Sequence, residues 1–262
     1  MSKETIQEWE RVEVERSAVE AGNTDTSNML ANENNCGRYM SPPQDTVYPL
    51  EYSFHLLGDV RGKTVLEYGC GDGSNTLILA KRGALVKALD ISPDLIGVAR
   101  RRLEANGIRE GVEFVVGSAH DIPLPDESVD VVFGIAILHH LDLALSSPEV
   151  WRVLRPGGRA IFHEPVRNSR LVKFIRGLIP YQSPEVSPYE RPLTDRELET
   201  YARDFSSYRS KAFLLPTSSV VTVLPPLERR FIHQSYRLDA AILRRVPALG
   251  YYATVRVVEM VK

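Results

Sequence analysis

The fold of this chain is decided by residues 65–73, which read Val-Leu-Glu-Tyr-Gly-Cys-Gly-Asp-Gly. The apolar beginning of this stretch predicts a buried strand, and its three glycines predict a tight turn. Residues 74–82 then carry apolar side chains at helical spacing, and Gly83 ends that helix. Because the glycines at 69, 71 and 73 lack a Cβ atom, the backbone can approach a ligand closely there. A strand, a glycine turn and a helix in this order predict a cradle for a nucleotide-like ligand.

The acidic side chain of Glu67 distinguishes this turn from a dinucleotide-binding turn. The dinucleotide fingerprint is Gly-x-Gly-x-x-Gly/Ala, and it seats a pyrophosphate on the N-terminus of the following helix. Here Ser74 stands at the sixth position, and the carboxylate two residues before the first glycine would repel a pyrophosphate. The same carboxylate would suit a ligand that carries an ammonium group. A glycine turn without any ligand stays open as the simplest alternative.

The composition predicts an ordinary globular chain. Its 262 residues are 43% hydrophobic and 25% charged, which fits one large domain or one domain with inserts. The net charge is −2, so the chain lacks the excess of positive charge by which most nucleic-acid-binding proteins attract phosphates. The two cysteines, Cys36 and Cys70, have neither disulfide-framework nor metal-ligand spacing, so no metal is expected. The polar N-terminus lacks the apolar core of a signal peptide, and no segment has the length of a membrane span, so we expect a cytoplasmic protein.

Residues 1–46 are expected to form an extension ahead of the main domain, 47–262. Residues 1–22 predict an acidic amphipathic helix, whose apolar side chains are Ile6, Trp9, Val12 and Val19. Residues 29–46 are expected to be irregular. The extension could be frayed, or it could fold over a ligand as a lid that Tyr39 closes, and the sequence leaves both possibilities open.

Strand and helix patterns alternate along the middle of the chain. Strands are predicted at 64–70, 85–90, 112–117, 129–136 and 159–163, and helices at 74–82, 92–105 and 147–154. Two further strands are predicted at 207–215 and 253–261. This alternation predicts a doubly wound, Rossmann-like α/β fold with a mostly parallel sheet and helices on both faces. Ligands of such sheets bind outside the carboxyl ends of the strands.

Several motifs between about residues 60 and 164 together resemble the class I S-adenosylmethionine (SAM)-dependent methyltransferases. The Glu-x-Gly-x-Gly-x-Gly turn resembles the first motif of that family, and residues 117–130 resemble its Gly-Asp-Ala-x-x-Leu-Pro-Phe-x-Asp-x-Ser-Phe-Asp motif. Leu-His-His-Leu at 138–141 recurs in its small-molecule enzymes, and the chain is similar to the ubiquinone/menaquinone-biosynthesis-like group. The resemblance implies a seven-stranded sheet with an antiparallel last strand. It also implies SAM as cofactor and S-adenosylhomocysteine as its product.

The resemblance assigns cofactor roles to residues at the strand ends. In the family the glycine turn wraps the methionyl part of the cofactor, and the acid at position 67 orients its amino group. Asp90 can accept hydrogen bonds from a ribose diol, and Ile91 would lie on the adenine. The family has an acid where Ser118 stands, so either this hydroxyl or Asp121 would contact the adenine. The expected cofactor residues are Glu67, Gly69, Cys70, Gly71, Gly73, Asp90, Ile91, Ser118, Ala119, His120, Gly134 and His139.

The reaction implied by the resemblance is an SN2 transfer of the sulfonium methyl group to an O, N or C nucleophile. Candidate general bases at the strand ends are His139, His140 and His163, since imidazole titrates in the useful range. Each of these histidines could equally be structural. Glu164 is expected to hydrogen-bond the substrate, and Tyr39 to close the site from above.

Two inserts, 166–193 and 217–247, are expected to build the acceptor pocket. Their apolar residues favour a small, partly hydrophobic acceptor, although these residues could instead cover the sheet edge or form a dimer contact. The Asn/Asp-Pro-Pro-aromatic signature of nucleobase amine methyltransferases is missing after the fourth strand, so nucleic acid is not expected as substrate. We expect a monomer or homodimer. An NAD-dependent oxidoreductase and a non-catalytic SAM-binding protein stay open as alternatives.

Overall fold

The computed structural model describes residues 3–25, 29–169, 191–223 and 225–262. The helices in these ranges are α1 (Lys3–Asn23), α2 (Glu33–Met40), α3 (Pro49–Leu57), α4 (Ser74–Lys81), α5 (Pro93–Ala105), α6 (Leu143–Val153), α7 (Asp195–Tyr201), α8 (Pro216–Val223) and α9 (Pro225–Arg245). The strands are β1 (Thr64–Tyr68), β2 (Leu85–Asp90), β3 (Val112–Val116), β4 (Val129–Ile135), β5 (Leu154–Pro165), β6 (Ser207–Phe213) and β7 (Val255–Val261). Short 3-10 turns span Leu138–His140 and Pro247–Tyr252.

The seven strands form one sheet in the order β3-β2-β1-β4-β5-β7-β6. Strands β1 to β5 pair in parallel, whereas β7 runs antiparallel to both β5 and β6. The predicted mostly parallel sheet with an antiparallel last strand is therefore confirmed. No helix in the described part of the chain is both long enough and apolar enough to cross a bilayer.

Helices cover both faces of this sheet, which explains the continuous apolar runs in its central strands. On one face, side chains of α3, α4 and α5 pack against Val65 and Phe133. On the other face, side chains of α6 and α7 pack against Leu66 and Phe162. The strand order reverses between β1 and its two neighbours, β2 and β4, so a crevice opens at their carboxyl ends.

Some elements differ from the sequence-based expectation because tertiary contacts override local pattern. Residues 29–46 were predicted to be irregular, but they contain α2, whose Tyr39 ring lies 5.2 Å from the Phe54 ring. The predicted turn at 155–158 lies inside β5, because Leu154 pairs with Val129 before a shift in the β4–β5 register. Of the predicted insert 166–193, residues 170–190 lie outside the described residues. The second insert, 217–247, is largely helical and falls on α8 and α9.

Gly73 at the start of α4 offers a test of this packing. Its φ is +79°, and a Cβ atom there would lie 2.7 Å from the Cβ and 2.9 Å from the Cα of Ala99 on α5. We expect Gly73→Ala to lower the unfolding free energy by about 3 kcal/mol, from left-handed strain and overpacking together.

The matched control for Gly73→Ala is Gly107→Ala. Gly107 also has a positive φ, +76°, but no atom lies within 4 Å of its would-be Cβ. Its alanine variant should show the strain alone, about 1 kcal/mol, in urea unfolding. Equal losses in the two variants would contradict the predicted clash between α4 and α5.

Candidate functional site

A cavity of about 310 Å³ lies at the carboxyl ends of β1 to β4. The strand ends contribute the glycine turn after β1, the residues that end β2, and the loops that follow β3 and β4. Residues predicted for the cofactor site that line this cavity are Gly69, Gly71, Asp90, Ile91, Ser118, Ala119 and His120. Residues that the sequence placed on three separate segments thus meet at one crevice.

Glu67 lies beneath the glycine turn and is only 2% exposed. The Thr76 hydroxyl on α4 donates to its Oε2, while Oε1 has no hydrogen-bond partner among the described residues. Burial, with Asp90 and Asp72 nearby, raises the pKa of this carboxyl to about 8. An unpaired buried oxygen costs free energy unless a donor reaches it, so Glu67 fits a ligand that brings a cationic donor, directly or through a water.

Asp90 fastens the end of β2 to the glycine turn. The Gly71 amide donates to Oδ2 at 2.8 Å, and the Ser92 amide donates to Oδ1 at 2.9 Å. Burial raises the pKa of Asp90, whereas these two amides act in the opposite direction. Each carboxylate oxygen keeps further acceptor capacity toward the cavity, which suits a ligand with two neighbouring hydroxyls.

The loop after β3 is tied to helix α1. The Ser118 hydroxyl donates to Glu10, and the His120 Nδ1 lies 3.0 Å from the same Glu10 oxygen, Oε1. The His120 backbone amide donates to Ser118 Oγ at 2.9 Å. The His120 Nε2 accepts from the Asp142 amide at 2.9 Å, so the ring proton lies on Nδ1 and is donated to Glu10.

Glu164 organises the turn after β4. Its Oε1 accepts from the amides of Ile137 and Leu138, and its Oε2 lies 2.9 Å from His139 Nδ1. Its carboxylate is fully buried, so it orients the turn and the His139 ring instead of meeting a substrate as expected. The His140 ring lies 4.1 Å from the His139 ring, and its Nδ1 is 3.6 Å from Glu13 Oε2 on α1.

Other predicted site residues lie outside this cavity. Gly134 packs against the Phe162 ring and Ile137, and Gly73 packs against Ala99, so both serve close packing. Cys70 is buried in the core beneath the turn. His163 pairs in register with Ile135 and Val257, and burial lowers its pKa to about 4. Neither His163 nor Tyr39 is among the described residues that line the cavities at this edge of the sheet.

A second cavity of about 810 Å³ adjoins the first and shares Trp9 and Leu141 with it. His139 lines this second cavity, and its apolar wall includes Leu143, Pro148, Leu193 and Tyr201. Its polar residues include Arg191, Arg196 and Arg203 together with Asp142, Glu197 and Asp204. Asp142 caps α6, and Glu197 accepts from the backbone amide of Thr194, the N-cap residue of α7, so both acids already have partners within the fold.

Helix α1 forms a wall of the first cavity, and the sequence pattern did not predict which of its side chains line it. Its lining residues are Trp9, Glu10, Glu13, Arg16, Ser17 and Glu20. The predicted apolar face was wrong at Val19, which is 49% exposed, whereas Glu13 and Ser17 are buried. The buried side of α1 therefore follows Ile6, Trp9, Glu13 and Ser17. The sequence signal for this buried side was a stripe of polar residues at helical spacing from Trp9. On a surface helix such a stripe normally indicates a face exposed to solvent, so it did not predict a cavity wall.

The family model described as a methyltransferase domain matches residues 66–162. The chain is 41% identical over 118 residues to a fatty-acid O-methyltransferase of Mycolicibacterium smegmatis. These aligned residues are 43% of this chain and 41% of that relative. The chain is also 42% identical over 95 residues to a ubiquinone/menaquinone biosynthesis C-methyltransferase of Brucella anthropi. These aligned residues are 35% of each of the two chains. The chain thus spans less than half the length of these curated relatives.

The fold is similar to that of geranyl diphosphate C-methyltransferase from Streptomyces coelicolor A3(2), solved with Mg²⁺, geranyl diphosphate and S-adenosyl-L-homocysteine. The TM-score is 0.54 at 18% sequence identity, over 80% of this chain and 78% of that chain. The matched segment, 66–162, holds the glycine turn, Asp90 and the loop at Ser118 that line the cavity. Residues 66–162 of this chain are therefore similar to a methyltransferase domain, and the curated relatives that share this segment are named as methyltransferases.

Proposed function

We propose that this protein transfers the methyl group of SAM to an O, N or C atom of a small, partly hydrophobic molecule. The observation that carries the proposal is the cavity that the glycine turn, Asp90 and the loop at Ser118 line together, with the unpaired oxygen of Glu67 buried on the strand that leads into that turn. A zwitterionic amino-acid end, a ribose diol and a flat base would each find a complementary group along this crevice.

SAM supplies an electrophilic methyl group on a positively charged sulfur. The residues of this chain would bind and orient it: Asp90 accepts from the diol, and ionised Glu67 balances the ammonium group. Helix α1 lies along the cavity and would exclude water from it. Alignment of the two reactants in this way contributes up to about 7–11 kcal/mol of barrier lowering.

His139 is the candidate to receive a proton from the acceptor. It lines the second cavity, and Glu164 fixes the orientation of its ring. A general base of this kind accelerates a reaction by about 10²–10⁴-fold when the nucleophile loses a proton. An acceptor that is already ionised would not need this step, and then His139 would serve only to shape the pocket.

The second cavity supports the acceptor class. Its apolar wall suits a hydrocarbon body, and Arg196 and Arg203 on the α7 side would attract an anionic end. One relative is named for fatty acids and the other for ubiquinone and menaquinone biosynthesis. A fatty acid combines an apolar chain with a carboxylate, and it is the first acceptor that we would test.

Incubation of the full chain with methyl-labelled SAM and a panel of acceptors tests this proposal. The panel contains fatty acids, long-chain alcohols, quinols, free amino acids and bulk RNA, with products identified by mass spectrometry. Calorimetry with S-adenosylhomocysteine and with NAD⁺ runs in parallel. We expect S-adenosylhomocysteine to bind, NAD⁺ not to bind, and label to enter an apolar acceptor.

Each other result contradicts a definite part of the proposal. Binding of NAD⁺ without S-adenosylhomocysteine would favour the oxidoreductase alternative. Binding of S-adenosylhomocysteine without turnover of any acceptor would favour a non-catalytic SAM-binding protein. Label that enters only amino acids or RNA would overturn the acceptor class while leaving methyl transfer in place.

A further inference from the structure

We propose that Glu10 of α1, instead of Ser118, is the residue that recognises the exocyclic amino group of the cofactor's adenine. This inference rests on the proposed function. It makes the N-terminal helix part of the cofactor site, with a specificity-determining carboxylate 108 residues away in sequence from the loop that it completes.

The strand order fixes where the base would lie. Strand β2 lies between β1 and β3, so Asp90 stands between the glycine turn and the loop at Ser118. A ligand that enters at the glycine turn and leaves its ribose at Asp90 therefore extends its base toward Ser118. Glu10, Ser118 and His120 line that end of the cavity together.

The hydrogen bonds already present decide which of these groups can accept from an amino group. The Ser118 hydroxyl accepts from the His120 amide and uses its own proton on Glu10. Both ring nitrogens of His120 are also occupied, by Glu10 and by the Asp142 amide. Neither ring nitrogen of His120 can accept another hydrogen bond, and the one lone pair that Ser118 Oγ keeps belongs to an uncharged oxygen, which is a weaker acceptor than a carboxylate. The Glu10 carboxylate receives the protons of both side chains.

Those two donors meet a single carboxylate oxygen. Oε1 of Glu10 receives both, whereas Oε2 has no hydrogen-bond partner among the described residues, although its side chain is only 24% exposed. Glu10 lines the cavity, and a carboxylate that is held through one oxygen and keeps the other for a ligand is a preorganised acceptor. Adenine presents an amino donor there, whereas hypoxanthine presents a carbonyl oxygen that Glu10 would repel.

Binding of S-adenosylhomocysteine and of S-inosylhomocysteine, its hypoxanthine analogue, tests the assignment by calorimetry. We expect the wild-type protein to bind the adenine compound at least tenfold more tightly, since hydrogen bonds to charged groups are strong. Glu10→Gln should bring this ratio below threefold. Glu15→Gln is the matched control, because Glu15 is an exposed acid of α1 that does not line the cavity, and it should keep the wild-type ratio.

A double variant that moves the acid from α1 to the loop after β3 separates adenine recognition from the docking of the helix. The double variant Glu10→Ser with Ser118→Asp returns an acid to the loop after β3, and it should restore the adenine preference to within threefold of the wild type. Hydrogen exchange supplies a second readout: S-adenosylhomocysteine should protect the amides of α1 in the wild-type protein, and less so in Glu10→Gln.

Three outcomes would overturn the assignment. The first is a wild-type protein without adenine preference, the second is a Glu10→Gln protein that retains the full preference, and the third is a Glu10→Gln protein in which only the melting temperature falls. In the last case Glu10 would merely pair α1 with the loop. Failure of the wild-type protein to bind S-adenosylhomocysteine at all would instead overturn the proposed function, so the two failures are distinguishable.

Discussion

Replacing Asp90 by alanine is expected to weaken S-adenosylhomocysteine binding at least 100-fold. The variant removes the carboxylate that would accept from both ribose hydroxyls, and hydrogen bonds to a charged group contribute about 1.5–3 kcal/mol each. A loss of about 3 kcal/mol corresponds to roughly 100-fold in the dissociation constant. The variant also leaves the amides of Gly71 and Ser92 without the oxygens that hold the turn in place. Isothermal titration calorimetry measures the change directly.

The control for Asp90→Ala is Asp94→Ala. Asp94 is an exposed carboxylate in the first turn of α5, four residues away, and it does not line the cavity. It should bind S-adenosylhomocysteine within twofold of the wild type. Circular dichroism must show that Asp90→Ala is folded at the assay temperature. A folded Asp90→Ala protein with less than a threefold loss would remove Asp90 from the cofactor site.

Affinity for S-adenosylhomocysteine is expected to rise with pH between about 6 and 8. The pKa of the Glu67 carboxyl in the ligand-free protein is raised to about 8, chiefly by burial, so this group is protonated over most of that range. The ammonium group of the ligand favours the ionised carboxylate, so binding releases the proton. One released proton raises the binding constant by up to about tenfold per pH unit, and the increase levels off above pH 8.

Calorimetry in buffers of different ionisation enthalpy counts the released proton at pH 7. Glu67→Gln is the control: it should bind more weakly, with no dependence on pH from this group. The same pKa affects stability with a definite sign. Between the ordinary carboxyl pKa and about 8, the folded ligand-free protein holds a proton that the unfolded chain has lost, so its unfolding free energy falls as pH rises. An affinity that is flat or that falls with pH in the wild-type protein would contradict the role of Glu67.

Much of the fold was predictable because its signals are local. Strand β2 and the bounds of α4 and α5 follow from short apolar patterns and glycine stops, to within one or two residues. The carboxyl ends of parallel strands meet at one edge, so the meeting of Gly69, Asp90 and Ser118 also follows from the strand order. Two features were not predictable from the sequence: the Glu67 oxygen that lacks a hydrogen-bond partner, and the complete burial of Glu164. Both depend on neighbours from other helices and strands.

The sequence by itself determined the sheet, the glycine turn and the row of polar residues at the strand ends. Only the tertiary structure decided which helix completes the cavity, which histidine meets Glu164, and where the acid facing the loop at Ser118 comes from. The physical reason is distance along the chain. Periodicity and turn chemistry act over a few residues, whereas Glu10 and Ser118 are 108 residues apart and become neighbours only when α1 packs across the finished sheet edge.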